Sequence, residues 1–229
     1  MTTAEKLVQI SENEQKIYDK GFEDGKAQGG GDDNYYDTFW DNFQSNGNRT
    51  NYANAFYGEG WTNENYNPKY PITIGNGLSV FDGCKITKPI NIDTSKATTL
   101  TYIFRNCKDV ESIGKIDCSK CKDLNRLFYD CRVTTVEELV VHEELTYTNT
   151  FDYATITNIT ISGTIAKNGF SLTSSVLSKA SIKSIFDALA NKTEDTSGTE
   201  WLITIGSTNI EKLTEEELEV ARRKGWQVN

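Results

Sequence analysis

Two consecutive stretches, IDTSKATTLTYIFRNC at 92–107 and IDCSKCKDLNRLFYDC at 116–131, match in register from the opening Ile-Asp through Ser-Lys to the closing Phe-x-x-Cys. Upstream, LSVFDGC supplies Phe81 and Cys84; downstream, TNTFDYA supplies Phe151 and Ala154. Phenylalanine thus recurs at 81, 104, 128 and 151, in steps of 23, 24 and 23 residues. A unit this short cannot bury an apolar face alone, so self-similarity at this period implies a solenoid in which each unit covers its neighbour's core.

After each Phe-x-x-Cys or its equivalent the sequence enters a run rich in Ile, Leu or Val: KITKPINI, KDVESIGKI, RVTTVEELVV and TITNITI. Their β-branched content predicts one short strand per repeat, and stacking lays those strands side by side as a parallel sheet. Phe81, Phe104, Phe128 and Phe151 are expected to line a continuous core, with Cys84, Cys107, Cys131 and Ala154 as small residues packed inside the following turn. Alternation along the strands places Asn91, Lys115 and Thr160 on the exposed face, and a one-residue shift would exchange them with core positions.

Cys118 and Cys121 have the C-x-x-C spacing of metal and redox sites, but they align with Thr94 and Ala97 of the preceding repeat, which neither bind metal nor form disulfides. A zinc site would want a second ligand pair, and a thioredoxin-like site a βαβ context; neither is present, so the pair reads as structural. A Cys118 to Cys121 disulfide stays open for an oxidising setting.

Four segments follow. Residues 1–31 carry Leu7, Ile10 and Ile17 on a thin heptad seam before a Gly-Gly-Gly joint, which fits a surface helix or a short coiled-coil stalk that oligomerises the chain. Residues 32–72 hold Tyr35, Phe39 and Phe43 at helical spacing beside Trp40, expected to be an aromatic helix capping the stack, although such a stripe can also bind sugars. Phe56, 25 residues before Phe81, suggests a degenerate first repeat. The repeats proper occupy 73–171. Over 172–229 the pattern becomes helix, strand, helix, strand: LSKASIKSIFDALANK with Leu177, Ile182, Ile185, Phe186 and Leu189, then EWLITIGS, then TEEELEVARRKGW with Thr214 and Glu217 in capping-box spacing and Gly225 at its end, then WQV.

Composition narrows the function. The net charge is −9, with ten acidic and four basic residues in 1–45, and no basic stripe exists to displace the counterions of a nucleic acid. The longest apolar runs fall far short of the roughly 20 residues a membrane helix needs, and the N-terminus lacks the apolar core of a signal peptide, so neither membrane insertion nor Sec targeting is expected. His142 is the only histidine and lies in no nucleophile context; its expected place is the surface beside a strand end. No phosphate-binding glycine motif is present, and the carboxylates are scattered. Sequons at Asn48, Asn158 and Asn191 matter only in a eukaryotic secretory pathway. No catalytic, metal-ligating or cofactor-binding residue is assigned, and the expectation is a protein that is not an enzyme.

The doubled unit, IDTSKATTLTYIFRNCKDVESIGKIDCSKCKDLNRLFYDC, resembles the BspA-type leucine-rich repeat of bacterial surface proteins and of many phage-encoded proteins of gut bacteria. The match covers 80–161. It implies an α/β leucine-rich-repeat solenoid of about four repeats with one short parallel strand each, between an N-terminal aromatic cap and a C-terminal α/β cap. The fourth repeat departs from the pattern, with Ala154 in place of Cys and six residues instead of four from Leu145 to Phe151. The order of segments, from YDKGFEDGKAQGGGDD to LTEEELEVARRKGW, is also similar to tail or baseplate-associated proteins of prophages in gut Firmicutes. The resemblance implies a virion protein engaged in assembly or host recognition through a protein partner or a surface glycan, or alternatively a bacterial cell-surface adhesin.

Overall fold

The Ile- and Val-rich runs that follow each repeated Phe pair with one another in the computed structural model, which describes residues 62–64, 66, 72–75 and 77–229. These belong to the second of two compact units, Asn48–Asn229. The features expected of 1–31, the aromatic helix of Tyr35, Phe39, Trp40 and Phe43, and Phe56 lie outside the described residues.

In chain order the elements are β1 (Ile72–Thr73), β2 (Gly77–Leu78), β3 (Ile92–Asp93), β4 (Leu100–Thr101), β5 (Ser112–Asp117), β6 (Thr135–Val141), β7 (Asn158–Gly163), α1 (Lys179–Ala188), β8 (Trp201–Ile203), α2 (Ser207–Ile210), α3 (Glu215–Arg222) and β9 (Trp226–Val228). The architecture is mixed α/β, with short parallel strands in small sheets and no closed barrel among the described residues. β5, β6 and β7 form a three-stranded sheet in that order; β1 pairs with β3, and a bridge from Ile90 to Ile113 joins that row to β5. Ile113, Ile116, Val136, Leu139, Val141, Ile159 and Ile161 are buried; the three-residue steps from Ile113 to Ile116 and from Val136 to Leu139 interrupt the period-two alternation, with a register irregularity between Val136 and Leu139.

A second row of backbone pairing, which sequence periodicity did not reveal, runs through the segment before and around each Phe. β2 pairs with β4, Asp123 bridges to Thr146, and the N–H groups of Phe81, Phe104 and Phe128 donate to Ile103, Leu127 and Thr150 O, each at 2.9 Å. The residue two before each Phe is left-handed: Ser79 (φ 53), Tyr102 (59), Arg126 (52) and Asn149 (52). So is the residue two after it: Gly83 (73), Asn106 (58), Asp130 (53) and Tyr153 (59). A left-handed L residue costs about 1–2 kcal/mol. Here the neighbouring rows hold the chain on both sides, so the Phe sits on a sharp double corner.

The structure corrects the spacing in the fourth repeat. Leu145 N–H donates to His142 O as Cys121 does to Cys118 and Ala97 to Thr94, so Leu145 occupies the turn-end position of Ala97 and Cys121. Tyr147 then takes the place of Leu100 and Leu124, four residues before its Phe, and the spacing is not lengthened. In the turns, Asp93 and Asp117 accept from the N–H groups of Ser95 and Ser119 at 3.0 and 2.9 Å, which explains the shared Ile-Asp-x-Ser.

β7 would be an open sheet edge, and α1 covers it with serines. Ile156, Ile159 and Ile161 N–H donate to the hydroxyls of Ser175, Ser181 and Ser184 at 3.1, 2.8 and 2.7 Å. Ser175 and Ser184 in turn donate to Ala154 O and Ile161 O. Ser178 caps α1 by accepting from Ser181 N–H. Side-chain oxygens thus stand in for the next strand's carbonyls and end the ladder at these three N–H groups. The C-terminal segment holds the expected helix, strand, helix, strand, plus the single-turn α2; α3 begins with the Thr214–Glu217 capping box. Pairing also crosses the expected boundary at 171: Ser171 bridges to Thr204, and Phe170 lies 5.0 Å from Phe151, ring centre to ring centre.

Candidate functional site: the exposed rows of the repeat stack

Phe81, Phe104, Phe128 and Phe151 are buried and stack face to face, with centroids 5.5, 5.8 and 5.6 Å apart and planes within 13° of parallel. Stacked aromatic pairs add about 0.5–1.5 kcal/mol beyond the burial of their area, so this column fixes the register of everything on the surface. Cys84, Cys107, Cys131 and Ala154 are buried beside it. Cys84 Sγ lies 3.9 Å from Cys107 Sγ, and the Cys107 thiol donates to Phe81 O at 3.0 Å.

All five cysteines are free and buried. Burial and the neighbouring Cys84 thiol push the Cys107 thiol well up, and burial pushes Cys131 up to about 12. The hydrogen bond with Cys121, together with burial, raises Cys118. Cys84 is instead lowered, chiefly by its hydrogen bond with Cys107, but like the other four thiols it is buried away from solvent. Among the described residues no group of three His, Cys, Asp or Glu side chains converges as metal ligands. His142 is held structurally: its Nδ1 accepts from Glu144 N–H at 3.3 Å, which leaves the proton on Nε2 to donate to Cys121 O at 2.7 Å. No helix among the described residues is long and apolar enough to cross a membrane.

Two outward faces remain. On the sheet, Asn91, Lys115 and Thr160 are exposed. Lys115 pairs with Glu138 at 2.9 Å, and Glu138 accepts from the Ser162 hydroxyl at 2.7 Å, a polar rung across all three strands. Those two bonds, the one from Lys115 first, hold the Glu138 carboxyl below its ordinary range.

The second face is the corner around the Phe column, and it carries tyrosines and arginines from three successive repeats. Arg105 sits 4.5 Å over the Tyr102 ring and pairs with Asp82, a carboxylate 1% exposed that also accepts from the Asn106 amide at 3.1 Å. Arg126 lies 5.7 Å from the Tyr102 ring and 5.6 Å from the Tyr129 ring, and donates to the Tyr102 hydroxyl at 2.9 Å. Tyr129 meets Tyr153 edge-on at 5.5 Å, and Tyr153 is 63% exposed. The sequence reading passed over these residues because it used each Phe as a core marker; TYIFR, RLFYD and FDY place Tyr or Arg within two residues of every one of the last three.

Compared with known proteins, the chain matches no family model, no curated protein and no solved structure.

Proposed function

We propose that the chain is a non-enzymatic interaction module, a BspA-type leucine-rich-repeat solenoid that serves a phage tail or baseplate in virion assembly or host recognition. The observation that carries the reading is the division of labour within each repeat. One Phe and one small buried residue repeat strictly on the inside, while the half-exposed residue that follows the Phe changes freely in the last three repeats: Arg105, Tyr129 and Asp152. A scaffold that holds its core constant and varies its surface is suited to recognition. The burial of all five thiols and the structurally held His142 support a binding role over chemistry. The tail assignment draws on the resemblance of the sequence to prophage tail-associated proteins.

The test is binding of the fluorescently labelled full chain to intact gut Firmicutes cells. Saturable binding to some strains supports host recognition. Its loss after protease treatment identifies a surface protein as receptor, and its loss after periodate identifies a glycan. Absence of binding to every strain removes host recognition and leaves virion assembly as the function.

A further inference from the structure

We propose that Arg126, with Tyr102, Tyr129 and Tyr153, is the docking point for an acidic segment of a partner protein, one carboxylate of which pairs with the Arg126 guanidinium. The inference rests on the reading of the chain as an interaction module and names its partner's chemistry.

Two guanidinium groups meet at this corner, and only one is neutralised. Arg105 is paired with buried Asp82, and Lys108 with Asp130, whereas no described residue forms an ion pair with Arg126. Its hydrogen bond goes to a neutral phenol, Tyr102, and its contacts with two tyrosine rings use its charge rather than its N–H donors. Arg126 is half-buried, so its remaining donors are partly shielded from water while its side chain is already fixed in place. A guanidinium in that condition is arranged for a bidentate carboxylate, with little further rotamer entropy to lose.

The surroundings favour a protein. Tyrosine and arginine are the side chains enriched where binding energy concentrates in protein interfaces. They come from three successive repeats, so the corner is a strip along the stacking direction that suits an extended segment better than a single sugar ring. Asp152, one repeat on, also forms no ion pair among the described residues, so it opposes an acidic partner and limits the affinity.

The experiment titrates a fluorescein-labelled deca-glutamate peptide with the full chain at low salt and reads anisotropy, with deca-lysine and polygalacturonate in parallel. Deca-glutamate is expected to bind, and Arg126→Gln and Tyr153→Ala each to weaken it about tenfold or more. Arg126→Lys should recover part of the loss, because it keeps the charge without the fork. Asp152→Asn should tighten binding, and Arg223→Gln on α3 should leave it unchanged. Melting curves of each variant exclude unfolding as the cause. Failure of deca-glutamate to bind, equal affinity in Arg126→Gln, or tighter binding of polygalacturonate than of deca-glutamate would each overturn the proposal. None of these results bears on cell binding by the full chain, so the two readings fail separately.

Discussion

Ser181→Ala removes one oxygen from the cover of β7, together with its contacts to the Ser178 hydroxyl at 2.9 Å and Thr157 O at 3.4 Å. Ser181 is 3% exposed, and its hydroxyl accepts from Ile159 N–H at 2.8 Å. The cap of α1 survives, because it uses the backbone N–H of Ser181 and the side chain of Ser178. The substitution leaves the Ile159 N–H buried without a partner, which costs about 1–3 kcal/mol. Alanine recovers up to about 0.7 kcal/mol through its better helix propensity. The net loss is about 0.3–3 kcal/mol, or up to about 12 °C in melting temperature for a chain of this size. Urea unfolding followed by circular dichroism should show a lower midpoint with an unchanged slope. Lys183→Ala, on the exposed side of the same helix, should stay within about 0.5 kcal/mol of wild type. The double variant Ser181→Ala, Ser184→Ala should lose more than either single and self-associate through the uncovered edge. Equal stability of Ser181→Ala and wild type would show that the hydroxyl does not substitute for a strand.

The core makes further predictions. Phe128→Ala, which removes a ring stacked on both faces, should cost about 3–5 kcal/mol, whereas Cys131→Ala should cost far less because Ala154 already fills the equivalent place; unfolding midpoints give the ratio. Gly163→Ala should abolish soluble expression or lower the melting point sharply, since its Cβ would fall 1.9 Å from Val141 O at a φ of +90. The thiols should resist a disulfide reagent at pH 8 in the folded chain and all react on unfolding; rapid modification of Cys118 or Cys121 without unfolding would refute their burial. The side-chain and backbone hydrogen bonds from Ser95 hold the Asp93 carboxyl below its ordinary range. Its stabilisation is therefore present above the unfolded value of about 4 and fades as pH falls through the folded value. The stability gap between wild type and Asp93→Asn should accordingly narrow below about pH 4 in urea titrations.

The period of the Phe residues made the stacking direction and the inner column legible, because a buried ring in every unit leaves a mark that periodicity can read. The second row of pairing left no such mark. Its left-handed corners include Gly83, Asn106, Asp130 and Asn149, which favour that region, but also Ser79, Tyr102, Arg126 and Tyr153, whose identity does not announce it and whose backbone is set by pairing with adjacent rows. The end of the ladder was legible in principle: Ser175, Ser178, Ser181 and Ser184 recur every third residue, a spacing that reads as surface helix until an open strand edge is placed beside it. Leu145 was read as the counterpart of Leu124 because both are leucines, but Tyr147 holds that place; a larger ring satisfied the same core position. The Tyr and Arg corner stayed hidden for a related reason. Residues on either side of a core marker look like loop until the turns are stacked and bring them into one strip.

The central claim is that this repeat stack works at a phage tail. Immunogold electron microscopy of an induced culture of the source strain, with antibody raised against the full chain, tests it directly. Gold at the tail or baseplate of released particles is the predicted result. Gold confined to the bacterial surface would contradict it and assign the chain to the adhesins, and gold found only inside cells, away from any particle, would contradict both.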